Sequence, residues 1–241
     1  MVGKKSRFAV ALALFLVPGV AYGAAVTVKG RIAGAQKLLN PVWNEAKEPS
    51  SHSYTFREPS VTTRLSARTL TPQVEKEITI VATSDAGGAT VKGNMTVMGG
   101  RIYPTTLVVT QGVPIQFENK DPFPHKLYGK GDKGMQPGDT PANKARSWTP
   151  PAPGKYEIRD MLAPSVRGWI VVEPKAVAVA APDPKGEFEI DLEPGKYKLR
   201  AYHNGDPVGT ELEVLVNKAP LQQPLKVPLL VADDTKKDEK K

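Results

Sequence analysis

The sequence predicts an all-β chain, and three observations carry that prediction. The 23 prolines and 21 glycines of the 241 residues cut the chain into pieces too short for long helices. Between them stand short runs rich in Val, Ile, Thr and Tyr, several alternating apolar with polar residues. The turn signals recur at the close spacing of a sandwich or barrel, which leaves little room for the crossover helices of a parallel sheet.

Residues 1–23 read as a secretory signal peptide: Lys4, Lys5 and Arg7 precede an apolar run over 8–20, and Ala21-Tyr22-Gly23 forms a small-residue cleavage site. That run is shorter than the roughly 20 residues of a spanning helix, and Pro18 and Gly19 interrupt its end, so export with cleavage is expected over a membrane anchor. No later stretch is apolar enough to span a bilayer. Residues 24–98 form an N-terminal β region. Within it, 26–32 (Val-Thr-Val-Lys-Gly-Arg-Ile) and 77–83 alternate as half-buried strands, while 35–75 is a long loop or extended arm carrying Trp43, Tyr54 and Phe56.

Residues 99–175 form the next unit. Strands are expected over 90–98, 106–110, 114–118, 155–158 and 168–172. The polar, broken segment 129–153 is expected to be a mobile loop over one end of the sandwich, anchored by Trp148. Residues 176–217 follow as a smaller β unit. Here 186–192 and 196–202 alternate on either side of Glu193-Pro194-Gly195 and are expected to form a hairpin, with 211–216 as a third strand. At this size the unit is marginal alone and should pack on, or share a sheet with, the N-terminal strands. Residues 218–241 lose periodicity and end in a charge run over 233–241, read as a solvated tail.

Composition narrows the function. An exported chain without a single cysteine must be stabilised by its core and not by disulfides. Of the formal charge of +8, three units belong to the leader and others to the terminal lysines, a surplus expected to serve solubility more than binding to anionic surfaces. Nucleic acid is set aside, because no basic, aromatic-interleaved motif occurs.

Two stretches resemble known families. Gly99-Gly-Arg-Ile-Tyr-Pro-Thr-Thr-Leu-Val-Val-Thr-Gln-Gly112, then Phe117-Glu-Asn119, Pro122-Phe-Pro-His125, Gly154-Lys-Tyr156 and Gly168-Trp-Ile-Val-Val172 resemble the plastocyanin-like domain of exported bacterial cupredoxins. The segment 186–216 is similar to the carboxypeptidase-regulatory-like, or transthyretin-like, β units. The resemblances imply a cupredoxin-like Greek-key β-sandwich followed by a smaller regulatory-like β-sandwich, in a periplasmic or, alternatively, extracellular protein.

The cupredoxin resemblance also implies where copper ligands would stand. Asn119, Asp121 and His125 occupy the first ligand loop. Cys, His and Met of the closing loop would fall, at three-residue intervals, on Asp160, Ala163 and Val166. A blue-copper centre requires the thiolate. Without it, no cofactor is expected, no metal site is assigned, and blue-copper electron transfer is excluded.

If that frame holds, His125 and Asp160 lie side by side, and a hydrogen bond or ion pair replaces the metal crosslink. The group His125, Asp160, Asn119, Asp121 and Arg167 is therefore read as a structural latch or binding loop. A metal site recruiting His125 with Met135, Met161, His52 or His203 is the remote alternative, and no pair of histidines has zinc-like spacing. His203 reads as a loop-stabilising hydrogen bonder. A triad of His125, Asp160 and Ser165 lacks a strand-to-helix elbow and an evident oxyanion hole, so no enzyme activity is expected. Tyr128, Trp148 and Tyr202 are the candidate ligand-contact aromatics, each open also to a packing role.

The expected function is a non-catalytic exported binding or assembly module of the cell envelope, its partner an envelope protein or a polysaccharide, with 126–153 and 160–167 as exposed loops. A carbohydrate-binding protein of the periplasm is the alternative, and a noncanonical copper-binding protein using His125 the third reading. The sequence sets no oligomeric state.

Overall fold

The computed structural model describes residues 25–38, 72–131 and 134–232. The readings of the leader, of most of the 35–75 loop with Trp43, His52, Tyr54 and Phe56, and of the 233–241 charge run lie outside the described residues. Within them the chain is nearly all β. A single-turn 3₁₀ helix over Ala35–Lys37 and a single-turn α-helix over Val74–Glu77 are the helical exceptions among the described residues. No helix there is long and apolar enough to cross a membrane.

Strands β1 (Val26–Ala33) and β2 (Ile78–Thr83) form where alternation predicts them, yet they lie in different sheets. The chain then builds a complete sandwich from β3 (Asn94–Met98), β4 (Arg101–Tyr103), β5 (Thr106–Val109), β6 (Ile115–Asn119), β7 (His125–Gly129), β8 (Gly138–Thr140), β9 (Ala145–Trp148), β10 (Gly154–Asp160) and β11 (Arg167–Val172). One sheet runs β4-β3-β6-β9 and the other β5-β11-β10-β7-β8. This is the cupredoxin-like Greek-key sandwich. Its core holds Met95, Phe117, Leu127, Ile158 and Ile170, all without solvent exposure.

The chain next returns to its first two strands. Strands β12 (Ala176–Ala180), β13 (Glu187–Leu192), β14 (Gly195–His203), β15 (Asp206–Val216), β16 (Gln222–Pro224) and β17 (Leu229–Leu230) complete a second sandwich. One sheet is β13-β1-β16, with β17 also on β1, and the other is β12-β2-β14-β15. The cupredoxin-like unit is therefore inserted into the second sandwich. Boundaries drawn at 98 and 175 do not describe the folding units, because β3 belongs to the inner sandwich and β1 and β2 belong to the outer one.

Three further expectations are corrected. First, β13 and β14 are not a hairpin: β13 pairs with β1, while β14 pairs with β2 and β15. Alternating Phe188, Ile190 and Leu199 face one core from opposite sheets, and alternation cannot tell strands side by side from strands face to face. The hairpin is β14–β15, turned by Asn204 and Gly205 with φ of 52° and 77°, the left-handed pair favoured by two-residue loops.

Second, 129–153 is not a mobile loop. It supplies β8 and β9 and buries Met135. Its polar character is accommodated by Arg146, which donates to the carbonyls of Leu127 (3.0 Å), Gly138 (3.2 Å) and Gln136 (2.7 Å). Third, residues assigned to the tail form β16 and β17, which pair parallel to β1. Leu229 and Val231 are fully buried there. Pro220, Pro224 and Pro228 keep these pieces too short for a periodic signal.

The sandwiches meet across a third apolar cluster of Val81, Val91, Val108, Val171, Ala176 and Tyr202. Thr79 Oγ1 donates to the Thr106 carbonyl (2.6 Å), and Thr106 Oγ1 accepts the Gly205 amide (3.0 Å). A side chain at Gly205 would sit 2.7 Å from Trp169 Cβ, so close approach as well as positive φ requires glycine. With both faces covered, every residue of β5 is buried.

Candidate functional site

Three loops, those that follow β3, β6 and β10, converge at one end of the inner sandwich because of where these strands stop. Asn119 ends β6, His125 begins β7 and Asp160 ends β10. On β10 the side chains of Tyr156, Ile158 and Asp160 point inward, and those of Glu157 and Arg159 outward. Asp160 thus continues the core face into the closing loop, and His125 enters the same space from the paired strand.

The structure places His125 between two carboxylates. Its Nδ1 is bonded to Asp160 Oδ2, and its Nε2 lies 3.0 Å from Asp121 Oδ2. The imidazole is fully buried, and both carboxylates are nearly so. Ionised carboxylates only accept, so the two contacts are satisfied together when both ring nitrogens carry hydrogen. Neither nitrogen then has a lone pair free for a metal or for taking a proton from a hydroxyl.

The carboxylates are themselves held. Asp121 accepts the amides of Gly99 (2.6 Å) and Gly100 (3.0 Å). Both glycines have positive φ, 62° and 67°, which turns their N–H groups toward one acceptor. Asp160 Oδ1 accepts the amides of Lys126 and Leu162, each at 2.9 Å. Asn119 ties the loop to β8, donating to the carbonyls of Phe123 (2.8 Å) and Thr140 (2.9 Å) while accepting the Asp121 amide (2.8 Å). Each carboxylate accepts two backbone amides as well as bonding the ring, and a hydrogen-bonded buried network of this kind is stiff.

Arg167 lies on another face. Its Nε donates to Glu157 Oε1 (2.9 Å), and its guanidinium stacks over the Trp169 ring (5.1 Å) on the outward side of the β10–β11 pair. Sequence reasoning paired His125 with Asp160 and placed Asp121 in the same latch group, without identifying it as the second carboxylate on the ring or the Gly99-Gly100 cradle beneath it. The signal was present in Gly-Gly closing a strand; which acceptor it serves is a tertiary matter.

The other candidates disperse. Ser165 Oγ donates to the Gly100 carbonyl (2.9 Å), so His125, Asp160 and Ser165 form no nucleophile-base array. His203 lies 3.4 Å from Glu77 across the β2–β14 pair, and Met161 is exposed while Met135 is in the core. Trp148 packs edge-on against Tyr156 at 5.3 Å, bridging the two sheets. Tyr128 is half-buried opposite Arg159 on the outward face, and the Tyr202 ring is buried between the sandwiches. The three rings share no surface and form no common platform.

Amicyanin from Paracoccus versutus is similar at 17% identity and a TM-score of 0.32, over 39% of this chain and 97% of that chain. A reduced amicyanin variant gives 18%, 0.32, 39% and 99%. A copper-containing nitrite reductase from Thermus scotoductus gives 23%, 0.30, 34% and 22%. No family model and no curated protein matches the sequence. None of these likenesses assigns a metal, a reaction or a partner to this chain.

The residues present do not fit a copper ion. Ala163 and Val166, at the expected imidazole and thioether positions, are hydrocarbon, and Val166 is fully buried in the core. Among the described residues no group of three or more His, Cys, Asp or Glu is arranged to hold a metal ion.

The site carries an acid-pH signature. Burial pushes the Asp121 carboxyl up, but the amides of Gly100 and Gly99 and the His125 ring together hold it below the ordinary range. Burial likewise opposes ionisation of Glu157, and Arg167, Arg159 and Lys130 overcome it. Depressed folded values mean stability that is complete above the unfolded pKa of about 4 and lost as pH falls through the folded value. The stability gap between the native protein and Asp121→Asn, read from urea midpoints, is expected to be constant near neutrality and to close below about pH 4. A gap independent of pH would contradict this role for Asp121.

Proposed function

We propose that this protein is a non-catalytic, metal-free binding or assembly module of the bacterial cell envelope that grips another envelope protein through the end of its cupredoxin-like sandwich. The supporting observation is the joint character of that end. Its interior is a locked His125 with two carboxylates, and the same three loops expose Met98 (55%), Phe123 (45%), Met161 (57%) and Leu162 (57%). Exposed apolar side chains grouped on loops are a mark of protein contact, and stiff loops lose little conformational entropy when they bind. The closing loop retains its length with a carboxylate in the thiolate position, which trades a redox metal for a fixed docking surface.

The test joins two measurements. A photo-crosslinking residue placed at Leu162 in native envelopes should give a discrete protein adduct that Met161→Glu abolishes, while copper and zinc titrations of the purified protein show no stoichiometric tight binding. Tight binding of either metal that His125→Ala removes, or adducts indifferent to Met161→Glu, would overturn the reading.

A further inference from the structure

A second candidate surface lies away from the locked histidine. A groove of ≈ 1150 Å³ runs where the two sandwiches adjoin. Its floor is the outward face of β14 and β15, and its walls are the residues after β2 and the link from β11 to β12. Six side chains define its chemistry: Glu173, Lys198, Arg200, Tyr202, Glu211 and Glu213. The strand register explains their assembly. Lys198, Arg200 and Tyr202 alternate outward along β14, while Leu199 and Ala201 enter the core.

Two of these groups are incompletely served. Arg200 Nε is shielded from solvent without a hydrogen-bond partner. A buried donor left unmade is costly, so such a group marks where an acceptor is wanted. The Tyr202 side chain is 7% exposed and stands near Glu173, Arg200 and Glu211; burial and Glu173 push its pKa up, so the phenol retains its hydrogen as a donor.

We infer that the groove binds a neutral, hydroxyl-rich oligosaccharide. Charge selects the class. Lys198 is paired with Glu211 at 3.2 Å, and Lys175 at the rim with Asp85 at 2.5 Å. Glu173 Oε1 accepts the Lys175 amide (3.1 Å), which leaves its other oxygen and the Glu213 carboxylate in the groove with Arg200. A polyanion would meet those carboxylates, and a polycation would meet Arg200 and the lysines. Hydroxyl groups both donate and accept: they can give hydrogen to Glu173 and Glu213 and accept it from the Tyr202 phenol and, once the guanidinium turns toward the groove, from Arg200 Nε. The volume exceeds the roughly 300–1,000 Å³ of ordinary small-molecule sites, which suits a chain of several sugar rings. This proposal rests on the reading of the protein as a binding module, and uses a surface separate from the apolar end.

The experiment titrates the intact protein by calorimetry with maltohexaose, cellohexaose and chitohexaose, with hexagalacturonate and a hexalysine peptide as charged controls. At least one neutral hexasaccharide should bind and outcompete both controls. Arg200→Ala and Tyr202→Phe should each weaken it about tenfold, the scale of one lost hydrogen bond. Arg200→Lys serves where alanine impairs folding, because it retains the charge and loses Nε. Met161→Glu should leave sugar binding unchanged, so failure here and failure of the apolar-end reading are separable. The inference is overturned if none of the three neutral sugars binds, if only a charged control binds, or if both groove variants bind as the native protein does.

Discussion

His125→Ala is expected to destabilise the protein by about 3–5 kcal/mol, read as a lowered urea midpoint with an unchanged slope. The alanine leaves Asp121 and Asp160 facing each other across the space of an imidazole, both buried and both still held by backbone amides. Two carboxylates then lose the ring that both of them bond to, in a place water scarcely reaches. Asp160→Asn is expected to cost less, because an amide oxygen can still accept the Lys126 and Leu162 N–H groups and His125 retains Asp121. A His125→Ala protein as stable as the native one would show that the cluster holds nothing together.

Leu229→Ala is the second large effect, at about 2–5 kcal/mol. Leu229 is fully buried in the outer core with Val26, Ile80 and Leu199, and Val231 lies beside it. The strand carrying it is two residues long, so packing and not ladder length holds it in place. Loss of the side chain should open a cavity and release the C-terminal strands from β1. The check is urea unfolding together with limited proteolysis, in which cleavage within 219–232 should accelerate. A loss below about 1 kcal/mol would mean that these residues behave as the appended tail that their sequence suggests.

The polar end of the inner sandwich was half legible. A histidine in one loop and a carboxylate in the other, at positions that the cupredoxins it resembles reserve for one ion, was enough to bring His125 and Asp160 together. Asp121 was visible as a residue but not as a partner. Its engagement depends on Gly99 and Gly100 being delivered by β3, which pairs parallel to β6. No local pattern encodes which loop a distant strand end will meet. The groove was less legible still, because its residues come from β14, β15 and both linkers.

Misreadings in the fold share one cause. Alternation reports which side of a strand is buried and is silent on the neighbour. It located β1, β2, β13 and β14 and could not say that β13 crosses to β1 while β14 crosses to β2. The Asn204-Gly205 turn carried the hairpin signal that Glu193-Pro194-Gly195 was credited with. Segment 129–153 looked too polar for a sheet because its compensation, Arg146 reaching three carbonyls, is a tertiary contact.

What this amino-acid sequence determined by itself is therefore its β character, the face each long strand buries, and the absence of any cysteine thiolate. Those follow from residue chemistry and a two-residue period, both local. The insertion of one sandwich into another, the second carboxylate on His125 and the groove between the units were decided only by tertiary structure. Each depends on chain segments far apart in sequence meeting at one place, and the free energy that selects such meetings, burial of a shared core, belongs to no segment alone.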